Sequence, residues 1–176
     1  LSVLNQKLDL LSSETNQGLI ALETIAQQLS NQETVEAISQ VLSEAMIRDF
    51  ECLQASVHLV DEQQTMLVRV AQVGESRETP PEKLVVGDQF TGRITADLLA
   101  LPNPAAIDIE PVIEPSSLGR GIEMVCPLVA GQRVVGMLHT VLPEELGRFY
   151  LYNRAPQTLA HHAAVAIHAL QMEPGG

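Results

Sequence analysis

Residues Gly121 to Leu142, GIEMVCPLVAGQRVVGMLHTVL, constrain the fold of this chain more than any other stretch. Two β-prone apolar runs, Ile122 to Val129 and Val134 to Leu142, flank the polar break Ala130-Gly131-Gln132-Arg133, a pattern that predicts a hairpin. The runs are nearly continuous rather than alternating. Both faces of these strands must therefore be covered, one by helices and the other by something else.

The length of 176 residues suits one domain with an appended helical segment, and 45% apolar residues are enough for a core without disulfides. Asp and Glu number 22 against 10 Lys and Arg, a formal charge of -12. Binding to phosphate backbones or to anionic lipid needs clustered cations, so this balance argues against nucleic acid and against a membrane surface. No run reaches the roughly 18 apolar residues of a membrane span, and no signal peptide is visible. A cytoplasmic location is the expectation. Beginning at Leu1 rather than Met, the sequence reads as a piece of a longer polypeptide. Cys52 and Cys126 have neither CxxC nor Cys/His ligand spacing, so the sequence predicts reduced, apolar thiols and no metal site.

Taken in order, Leu4, Leu8, Leu11, Thr15, Gly18, Leu22, Ile25 and Leu29 hold a heptad register, with Thr15 and Gly18 as weak places. Two readings stay open for this seam: a helix folded onto its own domain, or pairing with a second copy of the chain. Ser30-Asn31-Gln32-Glu33 has capping-box form and predicts a new helix from about Asn31 to Arg48–Glu51. Gln54 to Val60 and Met66 to Val73 form a second predicted hairpin around Asp61 to Thr65. Gly74 to Lys83, with Pro80-Pro81, reads as a solvated loop, Leu84 to Val86 as a short strand, and Phe90 to Leu101 as a region opening with a short helix. Ala106 to Ile109 is a further short strand, followed by a loop from Glu110 to Arg120. The acidic residues Asp108, Glu110 and Glu114 match no calcium loop. A long helix is expected from Arg148 to Met172, with Asn153 near its cap and Pro156 in its first turn.

This order predicts an α+β fold: a mainly antiparallel sheet with the N- and C-terminal helices on one face, and loops with a short helix on the other. The expected organisation is a heptad helix for signalling and dimerisation at 1–30, the domain proper at 31–172 and a flexible tail at 173–176.

Residues of about 31 to 171 resemble a GAF domain, a small-molecule-sensing module of the GAF/PAS-like architecture found in bacterial signalling proteins. The resemblance rests on Ala55-Ser56-Val57-His58-Leu59-Val60-Asp61, Gly87-Asp88-Gln89-Phe90-Thr91-Gly92-Arg93 and Val125-Cys126-Pro127-Leu128-Val129. It extends to Val134-Val135-Gly136-Met137-Leu138 and to Leu159 through Ile167. It implies a noncatalytic sensor or regulatory module, carrying an unknown small-molecule ligand between sheet and covering loops. It also implies a homodimer, here through Leu4, Leu8, Leu11, Leu22, Ile25 and Leu29, and an output module in the same polypeptide.

The departures from the family pattern narrow this. The middle loops hold no cysteine for covalent bilin attachment, and no histidine stands before the central hairpin, where haem-binding relatives carry theirs. The Asn-Lys-Phe-Asp-Glu signature of cyclic-nucleotide-binding relatives is missing, and aromatic content is 3%. Alignment with relatives places Ser56, His58 and Val60, then Met137, His139 and Val141, then Glu123 and Val125 on the pocket side. A one-residue slip would invert each list. His58 and His139 are candidate ligand contacts, as donor and acceptor or as one axial haem ligand, or are satisfied structural groups. Arg93 and Arg120 border the pocket and are candidates to pair with an anion, or are solubilising charges. His161 and His162 diverge on the last helix and make a poor chelate. No nucleophile elbow, phosphate loop or HExxH motif is present. Two alternatives remain: a degenerate GAF domain used only as a dimerisation scaffold, and a thiol-based redox enzyme using Cys52 or Cys126.

Overall fold

The computed structural model describes residues 16–74, 80–102, 112–115, 121–146 and 154–173. Four helices are described: α1 (Asn16–Ser30), α2 (Val35–Phe50), α3 (Gln89–Leu99) and α4 (Ala155–Gln171). The strands are β1 (Gln54–Val60), β2 (Met66–Gly74), β3 (Lys83–Val85), β4 (Val112–Pro115), β5 (Ile122–Ala130) and β6 (Arg133–Leu142). They form one antiparallel sheet in the order β3-β2-β1-β6-β5-β4. The fold is α+β, with α1, α2 and α4 on one face and α3 on the other.

The central hairpin forms as its sequence predicts, and each strand runs one residue into the polar break. Ala130 pairs with Arg133, and Gly131 supplies the left-handed turn at φ +61°. β6 lies between β5 and β1, the middle of the sheet. Gly136 permits this approach, because a Cβ there would collide with the His58 carbonyl of β1.

The helix face is apolar and closed. α2 and α4 lie against the sheet, and α1 lies across both helices. From α2, Ile38, Leu42, Ala45, Met46 and Phe50 are fully buried. From α4, Ala155, Ala160, Ala163 and Ala164 are buried, and their small side chains let the neighbouring elements approach closely. The Ser30–Glu33 capping box does not form. α2 instead starts one turn later, where Thr34 Oγ1 accepts the Ala37 N–H at 3.1 Å. Thr34 immediately precedes the apolar repeat that begins at Val35, so its cap sits where the buried face needs the helix to begin.

Leu22, Ile25 and Leu29 need correction as a contact face for a second copy. Their relative exposures are 5%, 5% and 0%, and they pack into the same core as α2, α4 and the sheet. A stripe of this kind stabilises by about 1.5–3 kcal/mol per buried side chain wherever it finds apolar surface, and α4 offers that surface within the chain. Leu4, Leu8 and Leu11 lie outside the described residues, as do the predicted strand Ala106 to Ile109 and the predicted start of the last helix at Arg148. β4 stands where the sequence predicts only a loop. It is a four-residue edge strand ending in Pro115, tolerated because an edge N–H needs no ladder partner.

Candidate ligand-binding face

β1 divides its side chains by parity. Ala55, Val57 and Leu59 enter the core beneath the helices. Gln54, Ser56 and His58 point to the opposite face, where they are 1%, 0% and 0% exposed. β6 lies beside β1 with Ser56 opposite His139 and His58 opposite Met137, and β5 follows with Val125 opposite His139 and Glu123 opposite Val141. Ser56, His58, Glu123, Val125, Met137 and His139 therefore share one face. Leu67, Leu84, Phe90, Leu98, Val125, Val134 and Met137 form its apolar surround, with α3 packed over β5 and β6.

The polar groups of this face fall into two sets. His139 is fully satisfied: Nδ1 lies 2.9 Å from Gln54 Oε1, and Nε2 lies 2.9 Å from Glu123 Oε1. As oriented, each partner offers the ring an acceptor oxygen. With the Gln54 amide turned over, a neutral ring would accept from the amide and donate to Glu123. In the orientation described, Gln54 Nε2 is left unpaired inside the protein.

His58 is satisfied on one side only. Its Nε2 donates to the Pro81 carbonyl at 2.9 Å, which fixes the tautomer, and its Nδ1 is buried without a partner. Burial pushes the ring down to about 4 from 6.5, assisted by the nearby His139 and Arg69 and opposed by the hydrogen bond to Pro81. Ser56 Oγ, between the two, is also buried without a partner. Along β1, at every second residue, the chain thus presents three unpaired polar atoms: Gln54 Nε2, Ser56 Oγ and His58 Nδ1. Each such atom costs about 1–3 kcal/mol when nothing pairs with it.

The segment over this row is tied down by its own backbone. Three successive carbonyls bond to the sheet: Pro80 O to Arg69 Nη1 at 3.4 Å, Pro81 O to His58 Nε2 at 2.9 Å, and Glu82 O to the Arg69 N–H at 2.8 Å. The sequence reading missed Gln54, Arg69 and this latch. Gln54 could have been found, since it shares the parity of Ser56 and His58. Arg69 could not, because a bulge between Val57 and His58 resets the phase of β2.

The remaining candidates lie elsewhere. Arg93 is exposed on α3, and its Nε donates to the Gln89 carbonyl of the same helix at 3.2 Å. Arg120 lies outside the described residues. His161 and His162 are exposed on α4, with ring centroids 6.3 Å apart, and His161 Nδ1 lies 3.3 Å from the Val129 carbonyl.

Both ring nitrogens of His139 and Nε2 of His58 are engaged, so neither ring offers a free Nε2 to iron. Ser56 also has no hydrogen-bonded base. Cys126 points into the helix-side core, where burial pushes its thiol up to about 12, and Cys52 is buried as well. Among the described residues no group of three or more His, Cys, Asp or Glu is placed to hold a metal ion, and no helix is long and apolar enough to cross a membrane.

No protein-family model matches the sequence, and no curated protein matches it. Solved structures do. The GAF domain of an Acinetobacter phosphoenolpyruvate-protein phosphotransferase superposes with a TM-score of 0.67 at 15% identity, over 92% of this chain and 99% of that one. The GAF domain of the corresponding phosphotransferase from Coxiella burnetii gives 0.65 at 16%, over 87% and 94%. A free methionine-R-sulfoxide reductase from Neisseria meningitidis, solved with its substrate, gives 0.58 at 18%, over 84% and 89%. At these identities the likeness is one of architecture, and the architecture of this chain is the GAF fold.

Proposed function

We propose that the chain is a noncatalytic sensor or regulatory module of a larger signalling protein, binding a small molecule on the loop-side face of its sheet. The observation that carries this reading is the row Gln54 Nε2, Ser56 Oγ and His58 Nδ1, buried and unpaired on that face. A fold that only needed a core would place apolar groups there, as the same strand does on its other face. The GAF architecture of the neighbouring structures supports the same reading.

The module dimerises through its terminal helices, by a different stripe from the heptad leucines. His162, Val165 and Ala169 on the exposed side of α4 and Met172 at its C-cap repeat at spacings of three and four, with Val165 48% and Met172 70% exposed. His162, Val165 and Ala169 border a groove formed with the loop after α1. Val165→Asp is expected to shift the sedimenting species from dimer to monomer, with the chain still folded and its melting temperature no longer dependent on protein concentration. A wild-type monomer would end this part of the proposal.

Native mass spectrometry before and after denaturation tests ligand binding. A mass that stays with the folded protein and leaves on unfolding is the expected result. The complete burial of Gln54, Ser56, His58 and His139 favours a second reading, a closed GAF scaffold with no ligand. Absence of an added mass, together with no stabilisation in a broad thermal-shift screen, would select that reading.

A further inference from the structure

We infer that the molecule held on this face presents an N–H or O–H donor to Nδ1 of His58, and that a carboxylate or phosphate oxygen is rejected at that position. The inference rests on the pocket reading above and specifies the chemistry of the same site. Its basis is the tautomer of His58. The Pro81 carbonyl can only accept, so Nε2 carries the proton and Nδ1 presents a buried lone pair that no donor among the described residues reaches.

The surroundings reinforce the choice. Ser56 Oγ, two residues away on the same face, can donate or accept and so adapts to the ligand's neighbouring atom. Glu123 stands on the same face, its side chain 14% exposed and already bonded to His139. An anion placed over the row would meet the Nδ1 lone pair directly and this carboxylate nearby. Among the described residues Arg69 is opposite His58 on β2 and directs its guanidinium to Pro80 O. The favoured ligand class is an uncharged or cationic polar molecule with an amide-like, lactam-like or amine N–H, or a hydroxyl. Such a donor also polarises the ring and strengthens Nε2–H toward Pro81, so that occupancy tightens the covering segment.

Two isosteric trios test this: benzamide, acetophenone and benzoate, then isobutyramide, 3-methyl-2-butanone and isobutyrate. Binding is followed on the wild-type protein by the histidine side-chain ¹⁵N resonances and the backbone amides of β1 and β6. The amides are expected to bind and to shift the unprotonated Nδ1 resonance of His58, with the ketones and carboxylates roughly tenfold weaker or worse. In His58→Phe the preference for amide over ketone is expected to vanish. If this variant fails to fold, the wild-type Nδ1 shift decides alone. Ketones or carboxylates binding this face as tightly as the amides would overturn the donor rule and leave the pocket reading standing. If no member perturbs this face and no mass co-purifies with the protein, the pocket reading falls, and the donor rule with it.

Discussion

On the helix face of the sheet, Ala55, Val57 and Leu59 meet Leu138 and Leu142, Met124, Cys126 and Leu128 beneath α2 and α4, and nearly every contact is apolar. On the opposite face the alternate residues of the same strands are Gln54, Ser56, His58, Glu123 and His139, and three of their buried polar atoms lack partners. Solvent exposure does not separate the two, since both are closed to water. The difference lies in hydrogen-bond accounting. The first face contributes folding free energy, whereas the second gives some of it up by keeping unpaired polar groups.

The sharpest way to break this comparison is to damage the first face. Leu29→Ala, at a fully buried site, is expected to cost about 2–5 kcal/mol in denaturant unfolding. A loss below about 0.5 kcal/mol, the level of an ordinary surface substitution, would show that α1 is not part of the core.

The second face should reveal itself through pH. With the His58 ring lowered to about 4 from 6.5, the unfolded chain takes up that proton first as pH falls. The stability that depends on a neutral His58 is therefore complete above about pH 6.5 and lost on acidification to about pH 4, amounting to about 3 kcal/mol. His139 on β6 and Arg69 on β2 are the charged or titratable neighbours that oppose its protonation. Wild type and His58→Phe, unfolded in denaturant across this range, should differ in slope. Parallel curves would mean that the ring is not buried neutral.

A smaller effect, of opposite sign, distinguishes the faces most directly. Ser56→Ala removes an unpaired buried hydroxyl and is expected to raise the stability of the ligand-free protein by about 1 kcal/mol. The equivalent truncation on the helix face, Val57→Ala, should lower it. Destabilisation by Ser56→Ala would imply that its hydroxyl is satisfied in the ligand-free state. The smallest effect is expected at Cys126, where a thiol reagent should leave the native protein unmodified and label it only in denaturant.

The sequence was most legible where local and global signals agreed. The central hairpin, with its nearly continuous apolar runs and a glycine in the break, left little choice of structure, and strand parity sorted Ser56 and His58 from Val57 and Leu59. It was less legible where one local pattern serves two ends. Leu22, Ile25 and Leu29 have the spacing of an intermolecular seam, yet the same spacing suits a helix lying on α4. Only the position of α4, set by the sheet, decides between them. Ser30 and Glu33 fit a capping box, but Thr34 sits where the apolar repeat of α2 begins. β4 carries Glu114 and Pro115, within a stretch that reads as a loop, and it becomes a strand because β5 offers it an open edge. Arg69 and the Pro81 carbonyl were out of reach because their meeting with His58 depends on tertiary placement.

The bulge in β2 also bears on how the gene can change length. Ala71 pairs with Val57 and Arg69 with His58, so Val70 is one residue more than the ladder needs. A chain lacking Val70 can close the same sheet with every remaining side chain on its present face, losing only the packing that Val70 gives the helix-side core. A chain lacking Val68, with the bulge kept, shifts Leu67 to the wrong face and moves it out of the apolar surround of the Gln54–Ser56–His58 row. Length variation within this strand is therefore expected at the bulge, the one place where a codon can be lost while inside and outside keep their identities.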